Sequence, residues 1–102
     1  MVIYMDSDDA IFEWDQTKNL LNQTKHGVSF QQAAHAFTDP NRLIFADLDH
    51  SVKEDRFFCL GIAGAGGMTV RFTYRDKRIR IFGAGYWGKG KRIYDDGRRS
   101  LH

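Results

Sequence analysis

Apolar and polar positions along this chain follow two periods, and the change from one to the other divides it. Phe30, Ala33, Ala34 and Phe37 fall at i, i+3, i+4 and i+7, the stripe of an amphipathic helix. Ser29 and Gln32, just before and inside that stripe, have capping-box spacing. Pro40 ends the element. Upstream, Ile11 to Trp14 is a short apolar-aromatic run that predicts a first strand. Asp15 fits the N-cap of a second helix, because its carboxylate accepts from free backbone N–H groups one turn on. That helix is expected to reach about His26 and stop at Gly27, the residue type preferred for a left-handed C-cap. Lys25 and His26 then stand in its last turn, where positive charge meets the negative end of the helix dipole. The two helices are expected to form a helical hairpin with a connection of one or two residues.

From Arg42 onward the period is that of strands. Arg42 to Ala46 and Arg56 to Ala63 predict two strands around a polar loop, Asp47 to Asp55. A glycine-rich turn, Gly64 to Gly67, follows. Met68, Val70, Phe72 and Tyr74 then alternate with Thr69, Arg71, Thr73 and Arg75, so the two sets lie on opposite faces. Arg78 to Phe82 returns after Asp76-Lys77. A two-residue hairpin loop there sets Arg75 opposite Arg78 and Thr73 opposite Arg80. Phe58 and Leu60 read as core-facing, which leaves Arg56 at the sheet rim. Lys89 to about Asp96 predicts a short helix. The fold class is therefore α+β, an N-terminal helical hairpin packed on an antiparallel β-sheet. The hairpin covers one face, and Arg71, Arg75, Arg78 and Arg80 occupy the other.

Length and composition narrow this further. At 102 residues the chain is one expected domain, large enough for its own core. Residues 1–9 are acidic and patternless and 97–102 are basic, so both ends are expected to be flexible. No apolar run reaches membrane-spanning length, and the acidic N-terminus does not read as a signal peptide. The single Cys59 excludes an intrachain disulfide and a paired-cysteine zinc site; the chain needs no oxidising compartment, which favours the cytoplasm. The histidines are scattered, so no metal is expected.

The net charge of +2 hides a polarity: residues 1–70 carry five Lys/Arg against ten Asp/Glu, and residues 71–102 carry ten against three. A basic C-terminal third suggests a polyanion-facing surface. Like charges opposed on a sheet are destabilising, so the four arginines make sense beneath a phosphate chain or an acidic partner. The plainer reading is that they pair with acids of the N-terminal half.

Candidate chemistry clusters at two places. Asp49 to Arg56 puts His50, Glu54 and Arg56 on one loop and strand entry. Ribonucleotide cleavage needs a base for the 2′-OH, an acid for the leaving 5′-oxygen and a cation on the phosphorane, and these three residue types match. Lys25-His26 is the second place, as base or phosphate clamp, with helix-end charge complementation as the alternative. Arg80 is a further candidate transition-state cation. Arg71, Arg75, Arg78, Lys89, Lys91 and Arg92 are candidate RNA contacts. Trp87, beside Tyr86, is a candidate for stacking on a base or anchoring a partner, and Tyr86 is a further candidate RNA contact. Gly83, Gly85 and Gly88 match a dinucleotide fingerprint in form only, because they lie late in an antiparallel region rather than in a βαβ unit.

Several blocks together resemble the BrnT ribonuclease toxins of bacterial type II toxin–antitoxin operons. They are Phe12-Glu13-Trp14-Asp15, Lys18, Asn22, Lys25-His26-Gly27-Val28-Ser29-Phe30, Ala33-Ala34 to Phe37 with Asp39-Pro40, Asp49-His50 to Glu54-Asp55-Arg56, and Arg78-Ile79-Arg80-Ile81. The resemblance runs over residues 11–96. It implies a RelE-like microbial ribonuclease fold and metal-independent cleavage of RNA, with inhibition of translation. It also implies neutralisation by a BrnA-like antitoxin that alone contacts operator DNA. Two positions depart from the pattern. Gly85 stands where many members end a Ser-Ala-Arg triplet, and Gly88 where others carry a basic residue. Each departure implies one lost phosphate contact and a weakened toxin. The alternative function is a non-catalytic or inactivated binding module that docks an antitoxin or nucleic acid through its arginine-rich face.

Overall fold

The local signals form as expected in the computed structural model. It describes residues 1–5, 10–50, 53–64, 66–88 and 90–100; of Tyr4, Met5, His50, Arg98, Arg99 and Ser100 it describes the backbone alone. Helix α1 spans Gln16–His26, with the Asp15 carboxylate accepting from the Lys18 N–H at 3.0 Å and Gly27 closing it at φ 69°. That hydrogen bond also holds the Asp15 carboxyl below its ordinary pKa. Helix α2 spans Phe30–Ala34 behind a complete Ser29/Gln32 capping box. It tightens into a 3-10 turn, His35–Thr38, before Pro40. The expected second helix is thus one α-turn plus one 3-10 turn.

Among the described residues the sheet has six strands: β1 Val2–Met5, β2 Ile11–Trp14, β3 Leu43–Ala46, β4 Phe57–Ala63, β5 Gly66–Arg75 and β6 Arg78–Tyr86. Helix α3, Gly90–Ser100, follows β6. The order across the sheet is β1-β2-β6-β5-β4-β3. Two expectations are corrected here. Part of the lead-in is a strand: β1 pairs antiparallel with β2 at the edge. The sheet is also mixed, because β2 runs parallel to β6, Phe12 opposite Ile79 and Glu13 opposite Arg80. Two strands therefore precede the helices, which connect β2 at one side of the sheet to β3 at the other.

The Asp76-Lys77 hairpin has the expected register, Arg75 opposite Arg78 and Thr73 opposite Arg80. Both loop residues take positive φ, 52° and 64°, as a type I′ turn requires. Register then slips by one. Phe72 opposes Ile81 but Arg71 opposes Gly83, which leaves Phe82 as the extra residue of a bulge. Beyond the bulge Ala84, not Gly83, faces the core beside Val70.

The core lies between α2 with its 3-10 turn and one face of the sheet. Phe12, Phe30, Cys59, Val70 and Phe72 are fully buried there. Burial pushes the Cys59 thiol up to about 12. At Gly61 the 3-10 turn comes so close that any Cβ would strike the Ala36 carbonyl. Phe57, Cys59, Gly61 and Ala63 are the core-facing residues of β4. Phe58 and Leu60 oppose Arg71 and Thr69, so they share the arginine face, and so does Arg56. The expected parity of β4 was off by one because the run from Phe57 to Leu60 is apolar throughout and carries no alternation.

That second face is not bare. Helix α3 crosses it, leaving Leu60 only 1% exposed. Tyr94 anchors α3 by donating to Asp39 Oδ2 at 2.7 Å. Among the described residues no helix is long and apolar enough to cross a membrane.

Candidate nucleic-acid interface

Helix α1 lies along β6 past the point where β2 stops pairing. The freed edge of β6 is met by one side chain. Asn22 donates Nδ2 to the Ala84 carbonyl at 2.9 Å and to the Val28 carbonyl at 2.8 Å, and its Oδ1 accepts from the Ala84 N–H at 3.2 Å. Asn19 works similarly one turn earlier, accepting from the Phe30 N–H at 2.9 Å. Both asparagines are buried, and their hydrogen bonds satisfy backbone groups that would otherwise carry a desolvation cost.

This docking builds a groove of about 220 Å³ between α1 and the arginine face, lined by Lys18, Leu21, Asn22, Lys25, His26, Arg71, Phe82 and Gly83. Lys18, Asn22 and Lys25 share one side of α1 at i, i+4 and i+7. The bulge supplies the floor, since Phe82 and Gly83 together oppose Arg71. Bulges commonly re-aim a side chain, and here Phe82 supports the neighbouring cation: the Arg56 guanidinium carbon stands 4.4 Å over its ring. Arg56 also lies 3.8 Å from Glu54, and Glu54 binds Arg75 at 3.1 Å. Two stretches far apart in sequence, Lys25-His26 and Glu54 to Arg56, thus meet through Phe82.

The remaining candidates are placed differently. Arg80 binds Glu13 at 2.8 Å, with side chains 19% and 4% exposed. That pair joins the parallel strands β2 and β6, so the Arg80 charge is already matched. Arg75 is likewise matched by Glu54, which relieves its repulsion with Arg78 across the hairpin. The arginine face is therefore not a row of four unmatched cations; the pairing of Arg75 and Arg80 with acids of the N-terminal half accounts for two of them. Lys91 pairs with Asp95 at 2.9 Å on α3, and Arg92 is exposed beside them. Tyr86 is 54% exposed but opposes Met68, on the face away from Arg71. Trp87 packs over Gly67 and against Tyr94, ring centroids 4.7 Å apart, a packing role rather than a stacking platform. His50 closes a short 3-10 turn, Leu48–His50; its side chain lies outside the described residues, as does Lys89.

Lys18 and Phe82 complete the groove but were not read as site residues from sequence. The spacing Lys18, Asn22, Lys25 on one helix was the available signal for the first. Nothing local marked Phe82, because its direction depends on the bulge. Gly85 faces the groove side, and a Cβ there would stand 4.0 Å from the His26 ring. Gly88 has φ 41° and open space around it.

No curated protein matches the chain. The profile of one family does, over residues 14–90, about three quarters of the length and most of the elements that build the groove. By that match the chain belongs to the BrnT family, the ribonuclease toxins of type II toxin–antitoxin systems.

Proposed function

We propose that the protein is an endoribonuclease whose scissile phosphate binds in the α1–β5–β6 groove. The observation that carries this reading is the convergence of Lys18, Lys25, His26 and Arg71 on one recess in a chain of a ribonuclease toxin family. Lys25 and Arg71 neutralise the phosphate as charge builds on the phosphorane, where fixed cations contribute most. The 2′-oxygen bonds to phosphorus as its proton leaves, and the bond to the 5′-oxygen breaks as that oxygen takes a proton. His26 is the proton-transfer group inside the groove, because it is the imidazole among the lining residues and its ring nitrogens can both donate and accept a proton. Glu54, held by Arg56 and Arg75, is the second. Side-chain cations carry the electrostatic work, which favours a metal-independent reaction. His50 remains a candidate through its position at the same loop, and Arg80 becomes a scaffold residue.

In this reading the toxin acts in the cytoplasm, on RNA needed for translation, within a RelE-like arrangement. A BrnA-like antitoxin neutralises it by covering the groove. The binding-module alternative draws on Gly85, which leaves the space beside His26 without the arginine of related sequences. Incubating the purified protein with RNA and excess chelator decides between them. Cleavage is expected, and Lys25→Ala, His26→Ala and Arg71→Ala should each lower its rate at least tenfold with melting unchanged. Binding without cleavage selects the module. Full activity in all three variants would remove the groove from the mechanism.

A further inference from the structure

The row that begins at the groove continues across the sheet and changes character. Arg71 on β5 lies directly opposite Phe58 on β4, and Phe58 directly opposite Phe45 on β3. Directly opposed residues share a face. Strands lie about 4.8 Å apart, so the phenylalanine positions follow Arg71 at one and two strand spacings, roughly 5 and 10 Å.

Among its described side chains, helix α3 lies over the neighbouring row. It covers the adjacent row of Thr69, Leu60 and Leu43: a Cβ on Gly90 would stand 2.7 Å from Thr69 and 2.8 Å from Leu60, and one on Gly97 would stand 2.6 Å from Leu43. Phe45 keeps 37% exposure and Phe58 is half-buried. Their rings sit 5.3 Å apart, tilted by 35°. Cross-strand aromatic pairs stabilise sheets, and that alone would account for the contact. It does not account for the position, which extends a cationic groove with an accessible aromatic step. Single-stranded nucleic acids are held by this pairing of a cationic track for the backbone with aromatic faces for the bases. A base inside a duplex is stacked and out of reach unless it is flipped.

We infer that Phe45 and Phe58 form a stacking subsite for an unpaired base of the nucleotide next to the phosphate at Arg71, which makes single-stranded RNA the substrate class. The inference rests on the groove being the phosphate site. Its test uses an uncleavable 2′-O-methyl oligoribonucleotide, its duplex, and a series with one abasic residue walked along the strand. Affinity should fall about 5- to 150-fold when the abasic residue reaches one position, and the duplex should bind more weakly than the strand. Phe45→Leu should weaken the intact strand by the same factor yet leave the abasic strand bound as by the unaltered protein, and Phe45→Trp should restore affinity. Equal loss on intact and abasic strands would mean that Phe45 only supports the fold, and a flat response along the abasic series would remove the subsite. A loss confined to binding of the purified antitoxin would make the pair a protein interface instead. Arg71→Ala separates the two levels. If it weakens binding while the abasic series is flat, only the stacking subsite fails; if it changes nothing, the groove itself is wrong.

Discussion

Asn22 offers the sharpest test of how this site is held together. Its side chain makes three hydrogen bonds to backbone groups, at 2.8, 2.9 and 3.2 Å, with the residue 8% exposed. Asn22→Ala removes all three and leaves the Val28 carbonyl and both groups of Ala84 without that partner. A buried group left unsatisfied costs about 1–3 kcal/mol. Water can enter from the groove that Asn22 lines, so the lower end applies to each, giving a loss of ~3 kcal/mol. In a domain of this size that lowers Tm by roughly 12–24 °C. Asn22→Asp is more informative. It keeps an acceptor for the Ala84 N–H but turns a carboxylate oxygen towards two carbonyl oxygens. Repulsion and burial would raise the pKa of the new carboxyl in the folded state above its unfolded value of about 3.9. A raised folded pKa means the stability is present at acid pH and lost as pH rises through that value. Thermal melts of both variants between pH 4 and 8 check this, on the order of 4 units spanning the linkage window. RNA cleavage measured well below Tm checks the second consequence, that Lys25 and His26 lose register with Arg71. An Asn22→Ala protein melting within about 4 °C of the parent, less than 1 kcal/mol, or an Asn22→Asp protein no more stable in acid, would refute the reasoning.

Gly85→Arg should increase RNA affinity and cleavage by about ten- to a hundredfold, the effect of one charge-assisted contact, because its Cβ meets only the His26 ring at 4.0 Å; Gly88→Arg is the poorer test, since φ 41° strains any side chain there, and an unchanged cleavage rate for Gly85→Arg would end the idea that the glycine weakens the toxin. Lys77→Gly should raise stability by roughly 0.5–1 kcal/mol, because the side chain leaves a left-handed position at φ 64° and that relief exceeds the entropy cost of glycine; a lower Tm would contradict it. Cys59, with its thiol pushed up to about 12, should resist alkylation at pH 8 in the folded protein (about half a unit below the free thiol pKa) and react on unfolding. Its elevated pKa also means that stability falls with rising pH between the ordinary thiol value and about 12, since the unfolded chain loses the proton first; rapid alkylation in native buffer would show that the site opens.

What the sequence determined by itself was whatever depends on a few neighbouring residues. Asp15, Gly27 and the Ser29/Gln32 box end and start helices through hydrogen bonds one turn long, so their spacing suffices. The Asp76-Lys77 hairpin register followed for the same reason, and the combination of short blocks identified the family. Tertiary structure decided the rest. The face of Phe58 was unreadable in a run without alternation, and the one-residue slip at Phe82 leaves no trace in composition. Parallel pairing of β2 with β6 joins residues 67 positions apart in the Glu13–Arg80 pair, which makes Arg80 a tie rather than a free cation. Asn22 finds Ala84 62 positions away. Those long-range contacts bring Lys25-His26 to Arg71, because a strand edge without a strand partner needs another donor and acceptor, and an asparagine on α1 supplies both.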